Sequence, residues 1–404
     1  MTTEPLNADS APVPQYATAP ARASLPYLPV LDGVRGLAIL LVLVHHLLWI
    51  EDVPIPRGVK AFGDSLFVGV DLFFVLSGFL ITRILLQARG EPHYFRNFYI
   101  RRTLRIFPLY YAFLLAMLLF WVVGGRVLHL EILKPADSLS VFPWVTFFAG
   151  NILIVVQSAP LATAMNPLWS LSVEEHFYMV WPTLVRFVAP RRMLYVCAGI
   201  IAGTLGLRFG TIALFAHLNR PLPASTLSYF TLFRVDALAM GAAVAIMFYL
   251  NFSPRFLTKA ALVVLAASGA ALVGNGIIRG GLNYYINRDA AWMYSALALF
   301  FGAGLALVVL HPRTMAARFL GTGFMRFFGK YSYGMYIFNL PVWVYLGRAF
   351  SAQSLHGWQG WQVILLRASL AVVLIPSLSL LSWNLLEKRC LKLKARFEPR
   401  GVEA

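Results

Sequence analysis

Charge is what this sequence has least of. Only 13% of its 404 residues are Asp, Glu, Lys or Arg, against about 25% in a soluble domain. Combined with 59% hydrophobic residues and a mean hydropathy of +0.70, that shortage excludes a soluble enzyme and points to a polytopic membrane protein. Acidic residues are scarcer still, 17 against 34 Lys and Arg, for a net charge of +17. No basic window adjoins a soluble fold, so the excess reads as membrane sidedness and not as a nucleic-acid surface. The two cysteines, Cys197 in an apolar stretch and Cys390 in the basic C-terminal segment, lie too far apart in topology to pair or to share a metal. No metal is expected.

Apolar runs near the roughly 20 residues needed to cross a hydrocarbon core fall at 34–50, 66–86, 106–124, 168–189, 193–216, 229–250, 259–278, 290–310, 331–350 and 359–386. A further run at 143–157 is ambiguous, and basic residues decide it, because they stay on the cytoplasmic side of short loops. Treating 143–157 as non-spanning, with both termini cytoplasmic, puts 23 Lys and Arg inside and seven outside. The expected fold is therefore an all-α bundle of about ten transmembrane helices, with 143–157 a re-entrant or interfacial segment of the outer loop between the third and fourth spans. Residues 1–29, rich in Pro, Ala, Thr and Ser, are expected to be a disordered cytoplasmic tail. The membrane domain covers 30–388, and 389–404 form a basic cytoplasmic tail. The chain stops soon after the last span, so any extracytoplasmic domain is expected to be a separate protein.

Ionisable groups inside spans cost a few kcal/mol each and usually face a cavity or a partner, so they are the functional shortlist. On the first span Arg35 and His46 are eleven residues apart, about 20° from eclipsed and roughly 16 Å along the axis. They share a face that His45 does not. The second span carries Asp71 among aromatics. The fourth opens Trp169-Ser170-Leu171-Ser172-Val173-Glu174-Glu175-His176-Phe177-Tyr178, in which Ser170, Glu174 and Tyr178 lie on one face. His46 and Glu174 are expected at similar depth, as an imidazole general base oriented by a carboxylate. Arg101, Arg102 and Arg105 open the third span and are placed to clamp phosphates. Arg234 and Asp236, two residues apart, point away from each other, so each should reach another helix, with Arg208 a partner for Asp236. The lipase-like Gly63-Asp64-Ser65-Leu66 lies in a short loop with no sheet behind it and is read as a decoy.

In combination these segments resemble the acyltransferase-3 family of membrane O-acyltransferases, over residues 31–390. The family's Arg followed after ten residues by His falls on Arg35 and His46. Its Gly-Val-Asp-Leu-Phe-Phe-Val-x-Ser-Gly-Phe pattern falls on Gly69 to Phe79, its Arg-Arg-x-x-Arg-Ile-x-Pro-x-Tyr on Arg101 to Tyr110, and its Trp-Ser-Leu-x-x-Glu-Glu on Trp169 to Glu175. Two departures stand out. His176 replaces the usual Gln, and Asn339 replaces the His of the late Ser-Tyr-x-x-Tyr run. Asn339 cannot do acid–base chemistry at neutral pH, so either that His is not the base or His176 covers for it.

The resemblance implies transfer of an acyl group, most simply acetyl, from cytoplasmic acetyl-CoA to a hydroxyl of an extracytoplasmic glycan or lipid-linked sugar, in a bacterial inner membrane. Arg35, Arg101, Arg102 and Arg105 would hold the donor, and His46 with Glu174 or Glu175 would act on the acceptor. A macrolide-type acceptor is the alternative within the class. A proton-coupled transporter is the alternative outside it, though the related repeats and broken helices of such proteins are not visible.

Overall fold

Without water to satisfy its N–H and C=O groups, a chain in a bilayer must close its hydrogen bonds within each segment. The computed structural model describes residues 28–48, 53, 55–127, 139–158, 161, 163–279, 289–351, 353–394 and 397, and among these there are helices and turns but no strand. The helices are α1 (Pro29–Leu48), α2 (Arg57–Ser65), α3 (Val68–Ala88), α4 (Tyr94–Leu119), α5 (Val141–Thr146), α6 (Gly150–Gln157), α7 (Leu168–Phe187) and α8 (Pro190–His217). They continue with α9 (Ala224–Tyr229), α10 (Val235–Tyr249), α11 (Pro254–Arg279), α12 (Ala290–Leu310), α13 (Met315–Leu320), α14 (Gly323–Ala349), α15 (Gly360–Ser382) and α16 (Lys388–Lys394). The ten expected spans fall on α1, α3, α4, α7, α8, α10, α11, α12, α14 and α15. The tail expected at 1–29 lies almost wholly outside the described residues, as does most of 389–404 beyond α16.

Seven helical stretches among the described residues are long and apolar enough to cross a membrane. Of the other three expected spans, α10 has 15 residues, while α7 and α14 carry many of the polar residues discussed below. The ambiguous run 143–157 forms no single long helix. It is divided between α5, of six residues, and α6, of eight, and eight residues rise only about 12 Å, less than half of a roughly 30 Å core. The loop before the second span is also more ordered than its sequence indicates: α2 occupies it, and Ser65 of the lipase-like run donates to the Ala61 carbonyl at 2.8 Å.

Contacts between helices fix their directions. His46 of α1 meets Asn339 of α14, and Gly36 of α1 faces the Met325 carbonyl, so these two helices run parallel. Gly69 of α3 faces the Ala38 carbonyl while Phe67, just before α3, meets the His45 ring edge-on at 5.8 Å, so α3 runs against α1. Ser77 with Glu174, and Thr82 with Trp181, set α7 parallel to α3.

The α3–α10 crossing depends on two glycines. A Cβ on Gly78 would collide with the Leu238 carbonyl, and one on Gly241 with the Val75 carbonyl. Close backbone approach of this kind is how membrane helices gain packing energy where lipid removes the hydrophobic drive. Gly241→Ala should therefore lower stability by about 1–3 kcal/mol, read as thermal unfolding in detergent. Gly203→Ala on α8, where nothing lies within 4 Å of the new methyl, should be neutral or stabilising by up to about 1 kcal/mol.

Candidate active site

Five helices close around a partly open cavity, lined among others by Arg35, Ser77, Arg102, Arg105, Ser170, Glu174 and Tyr336. The polar lining follows from helical spacing. Arg102 and Arg105 are three apart in the third turn of α4, because that helix begins at Tyr94, twelve residues before the expected start of the span. Arg101 turns aside and donates from Nε to the Asn97 carbonyl at 3.2 Å, and it is not among the lining residues. Arg35 ion-pairs with Asp32 at 3.5 Å one turn back on α1. Trp383 lies with its ring centre 6.0 Å from the Arg105 guanidinium, and Glu387 faces the same arginine electrostatically. The resemblance assigned nothing to this end of the chain.

Glu174 is the most densely engaged acid of the site. Its Oε1 accepts from Ser77 Oγ at 2.7 Å, its Oε2 accepts from Tyr178 OH at 2.9 Å, and Arg102 Nη2 stands 3.7 Å from the same Oε2. The Arg102 guanidinium also lies over the Tyr178 ring, 3.9 Å from its centre. Ser77, quoted only as part of a motif in the sequence, therefore belongs to the site. Its signal was a hydroxyl among the apolar residues of α3. Tyr336 was missed too: its OH is 2.7 Å from Ser170 Oγ.

His46 and Glu174 are not brought together. On α14, Asn339 lies three residues beyond Tyr336, and on antiparallel α7, Glu174 lies four residues beyond Ser170 in the other direction. Because Tyr336 meets Ser170, the His46–Asn339 level and the Glu174 level stand about 10 Å apart along the bundle axis, with the Ser170–Tyr336 pair between them. The expectation of equal depth took the first residue of each apolar run as the membrane surface. In the structure α3 and α7 begin well below the end of α1, with α2 beside that end. Glu174 accordingly lies level with the arginines.

His46 has other company. Its Nδ1 lies 3.0 Å from the Val42 carbonyl and 2.7 Å from the Asn339 side-chain amide. His45 is buried and bonds through Nδ1 to the Gly63 carbonyl at 2.8 Å, tying α1 to α2. His176 has its own partners: its Nδ1 is 2.7 Å from Thr231 Oγ1, which also receives Asn151 Nδ2 at 2.8 Å. Glu175 is not among the lining residues and buries Oε1 without a hydrogen-bond partner.

Asp71, Arg234 and Asp236 form a separate, fully buried group. Arg234 Nη2 reaches Asp71 Oδ1 at 2.7 Å, and Arg208 Nη2 reaches Asp236 Oδ2 at 2.7 Å. Arg234 also lies 3.8 Å from the centre of the Tyr294 ring. These pairs join α3, α8 and α10, and none of their members lines the cavity.

Apolar helices enclosing a cavity of guanidinium, carboxylate and hydroxyl groups define an integral, multi-pass membrane protein with an internal polar site. The chain belongs to the acyltransferase family whose acyltransferase domain model matches residues 28–381. It is 28% identical over 335 residues to the peptidoglycan O-acetyltransferase OatA of Listeria monocytogenes, covering 80% of this chain and 50% of that protein. It is 28% identical over 334 residues to a putative peptidoglycan O-acetyltransferase, YrhL, of Bacillus subtilis, covering 78% and 48%. With the O-acetyltransferase OatA of Staphylococcus aureus it shares 26% over 337 residues, covering 79% and 51%. The chain thus spans about half the length of the curated relatives it matches. No solved structure matches it.

Proposed function

We propose that this protein is a membrane O-acetyltransferase that takes an acetyl group from acetyl-CoA and places it on a hydroxyl of a cell-wall glycan. The observation that carries the reading is the convergence of Arg35, Arg102 and Arg105 on one cavity inside an apolar bundle. Guanidinium groups gathered inside an apolar bundle are expensive, and phosphate oxygens are partners that suit them well. Arg102 fits such a ligand, since its Nε is buried without a hydrogen-bond partner. The names of the relatives support the glycan acceptor, and the positive-inside charge count supports a cytoplasmic arginine end, where acetyl-CoA is made available.

The donor is a substrate here, and the residues have distinct tasks towards it. Arg35 and Arg105 bind phosphate oxygens at the arginine end. Arg102, braced by Glu174 and Tyr178, holds its charge towards the cavity. His46, at the other end of the site, takes the proton of the acceptor hydroxyl. Helical side chains lean towards their own N-terminus, so His46 leans down α1 and Glu174 leans up α7. The interval between the two levels is narrowed from both ends.

The test is purified protein in detergent with acetyl-CoA and a peptidoglycan fragment: CoA release that depends on the glycan supports the reading, and its absence with every glycan tried refutes it. Arg105→Ala should weaken acetyl-CoA binding about ten- to a hundredfold, since a charge-assisted bond contributes about 1.5–3 kcal/mol. Titration calorimetry reads this directly. Unchanged affinity in both Arg105→Ala and Arg102→Ala would leave these residues as topogenic charges.

A further inference from the structure

We infer that acetyl transfer proceeds in two steps, through an ester on Ser77. This rests on the acetyltransferase reading above and adds the covalent carrier. A serine inside a helix ordinarily returns its hydroxyl proton to a carbonyl three or four residues back. Ser172 does so to Leu168, Ser268 to Val264 and Ser379 to Ile375, at 3.2, 2.6 and 2.7 Å. Ser77 instead donates across to α7, to Glu174 Oε1 at 2.7 Å, and it does so on the cavity wall.

That arrangement supplies what a hydroxyl nucleophile lacks, an adjacent base within hydrogen-bond reach that is itself held by other groups. Tyr178 and Arg102 hold Oε2 and leave Oε1 to Ser77. The other two cavity serines do not qualify, and Ser332 Oγ simply donates to the Gly329 carbonyl at 2.9 Å. Ser170 Oγ donates to the Pro167 carbonyl at 3.2 Å and meets the Tyr336 hydroxyl at 2.7 Å, and neither partner is a carboxylate able to take its proton. Tyr178 shares the carboxylate but is not among the residues lining the cavity.

In the first step the Ser77 Oγ–H proton passes to Glu174 as Oγ bonds to the thioester carbonyl carbon. The C–S bond breaks, and the departing sulfur takes that proton from Glu174 and leaves as the CoA thiol. Arg102, close by, receives the negative charge that builds on the carbonyl oxygen. In the second step the acceptor hydroxyl gives its proton to His46 and bonds to the ester carbon. The Oγ–C bond breaks, and Ser77 recovers a proton relayed from the imidazolium through the Tyr336 and Ser170 hydroxyls that stand between them. Ser77 lies in the same part of the bundle as the arginines, whereas His46 is not among the residues lining the cavity and lies beyond Ser170 and Tyr336, so the two steps draw on opposite sides of that pair.

The experiment incubates wild-type protein in detergent with isotopically labelled acetyl-CoA and no acceptor, quenches in acid, and measures intact mass and the labelled peptide. One acetyl group on the peptide containing Ser77 is expected, together with exchange of labelled CoA into acetyl-CoA, the signature of a ping-pong route. Ser77→Ala should lose the label and slow exchange by more than about a thousandfold, while calorimetry shows acetyl-CoA still bound and the detergent-solubilised protein still melts cooperatively. Glycan-dependent CoA release by wild type with neither label nor exchange would overturn the inference and leave the acetyltransferase reading standing. Label on Ser170, Tyr178 or another residue would overturn it as well. Absence of any acetyl-CoA turnover with glycan would refute the reading on which it rests.

Discussion

His46→Ala should reduce acetyl transfer to the glycan by about 10²- to 10⁴-fold, the range that a positioned general base contributes, with membrane insertion and thermal stability close to wild type. Two features single out this imidazole. It stands beyond the Ser170–Tyr336 pair, on the side away from the arginines, where an acceptor would enter. Its Nδ1 faces the Val42 carbonyl, which can only accept a hydrogen bond, so a proton on Nδ1 satisfies that contact and leaves Nε2 as the basic nitrogen. The side-chain amide of Asn339 can meet Nδ1–H through its oxygen, because its two ends are assigned from the hydrogen-bond network. His45→Ala is the control. That ring is tied to the Gly63 carbonyl, and its loss should cost about 1 kcal/mol of stability and little turnover. Quantifying acetylated glycan made by the two purified variants checks both outcomes, and comparable activity in His46→Ala and wild type would remove His46 from the mechanism. If the ester on Ser77 is formed, His46→Ala should also retain CoA exchange while losing transfer, since the first step uses Glu174.

The helices of this protein were legible in its sequence because lipid imposes a length and a composition on them. The run 143–157, ambiguous by length and hydropathy, is divided into two short helices. What periodicity on single helices could not deliver is the offset of one helix against another. Arg35 and His46 share a face of α1, as the eleven-residue spacing indicates, yet the depth of α7 relative to α1 depends on where α3 starts. That start is set by α2, a short helix with too few residues and too much charge to register as an apolar run. An error of that kind moved Glu174 from the arginine level to the histidine level. The same blindness hid Ser77: its motif was visible, but its partner on α7 is 97 positions away. Arg101 and Arg102, adjacent in sequence and equal in charge, were separated only once α4 was found to be continuous from Tyr94, which turns Arg102 with Arg105 to the cavity and Arg101 aside.

Removing one member of the Arg208–Asp236 pair should destabilise the bundle by about 3–5 kcal/mol, the usual consequence of leaving a buried charge without its counter-ion. Arg208 has no exposed surface and Asp236 almost none. Beyond the ion pair, Arg208 donates to the Phe233 carbonyl, to the Ala291 carbonyl at 3.1 Å and to Ser295 Oγ at 2.9 Å, while Ser295 returns a bond to Asp236 Oδ2 at 2.8 Å. This network joins α8 and α12 to the short turn before α10, and so fixes where α10 begins. Arg234, the residue preceding α10, is thereby held against Asp71 and the Tyr294 ring. Arg208→Met should accordingly unfold at markedly lower temperature in detergent. The double variant Arg208→Met with Asp236→Leu should recover part of the loss, because it removes the stranded carboxylate. Recovery should be incomplete: the Phe233 and Ala291 carbonyls would still lack their donor, at a cost of about 1–3 kcal/mol for each buried group left unsatisfied. A double variant no more stable than Arg208→Met would show that the backbone bonds, and not the charge pair, hold this corner of the bundle together.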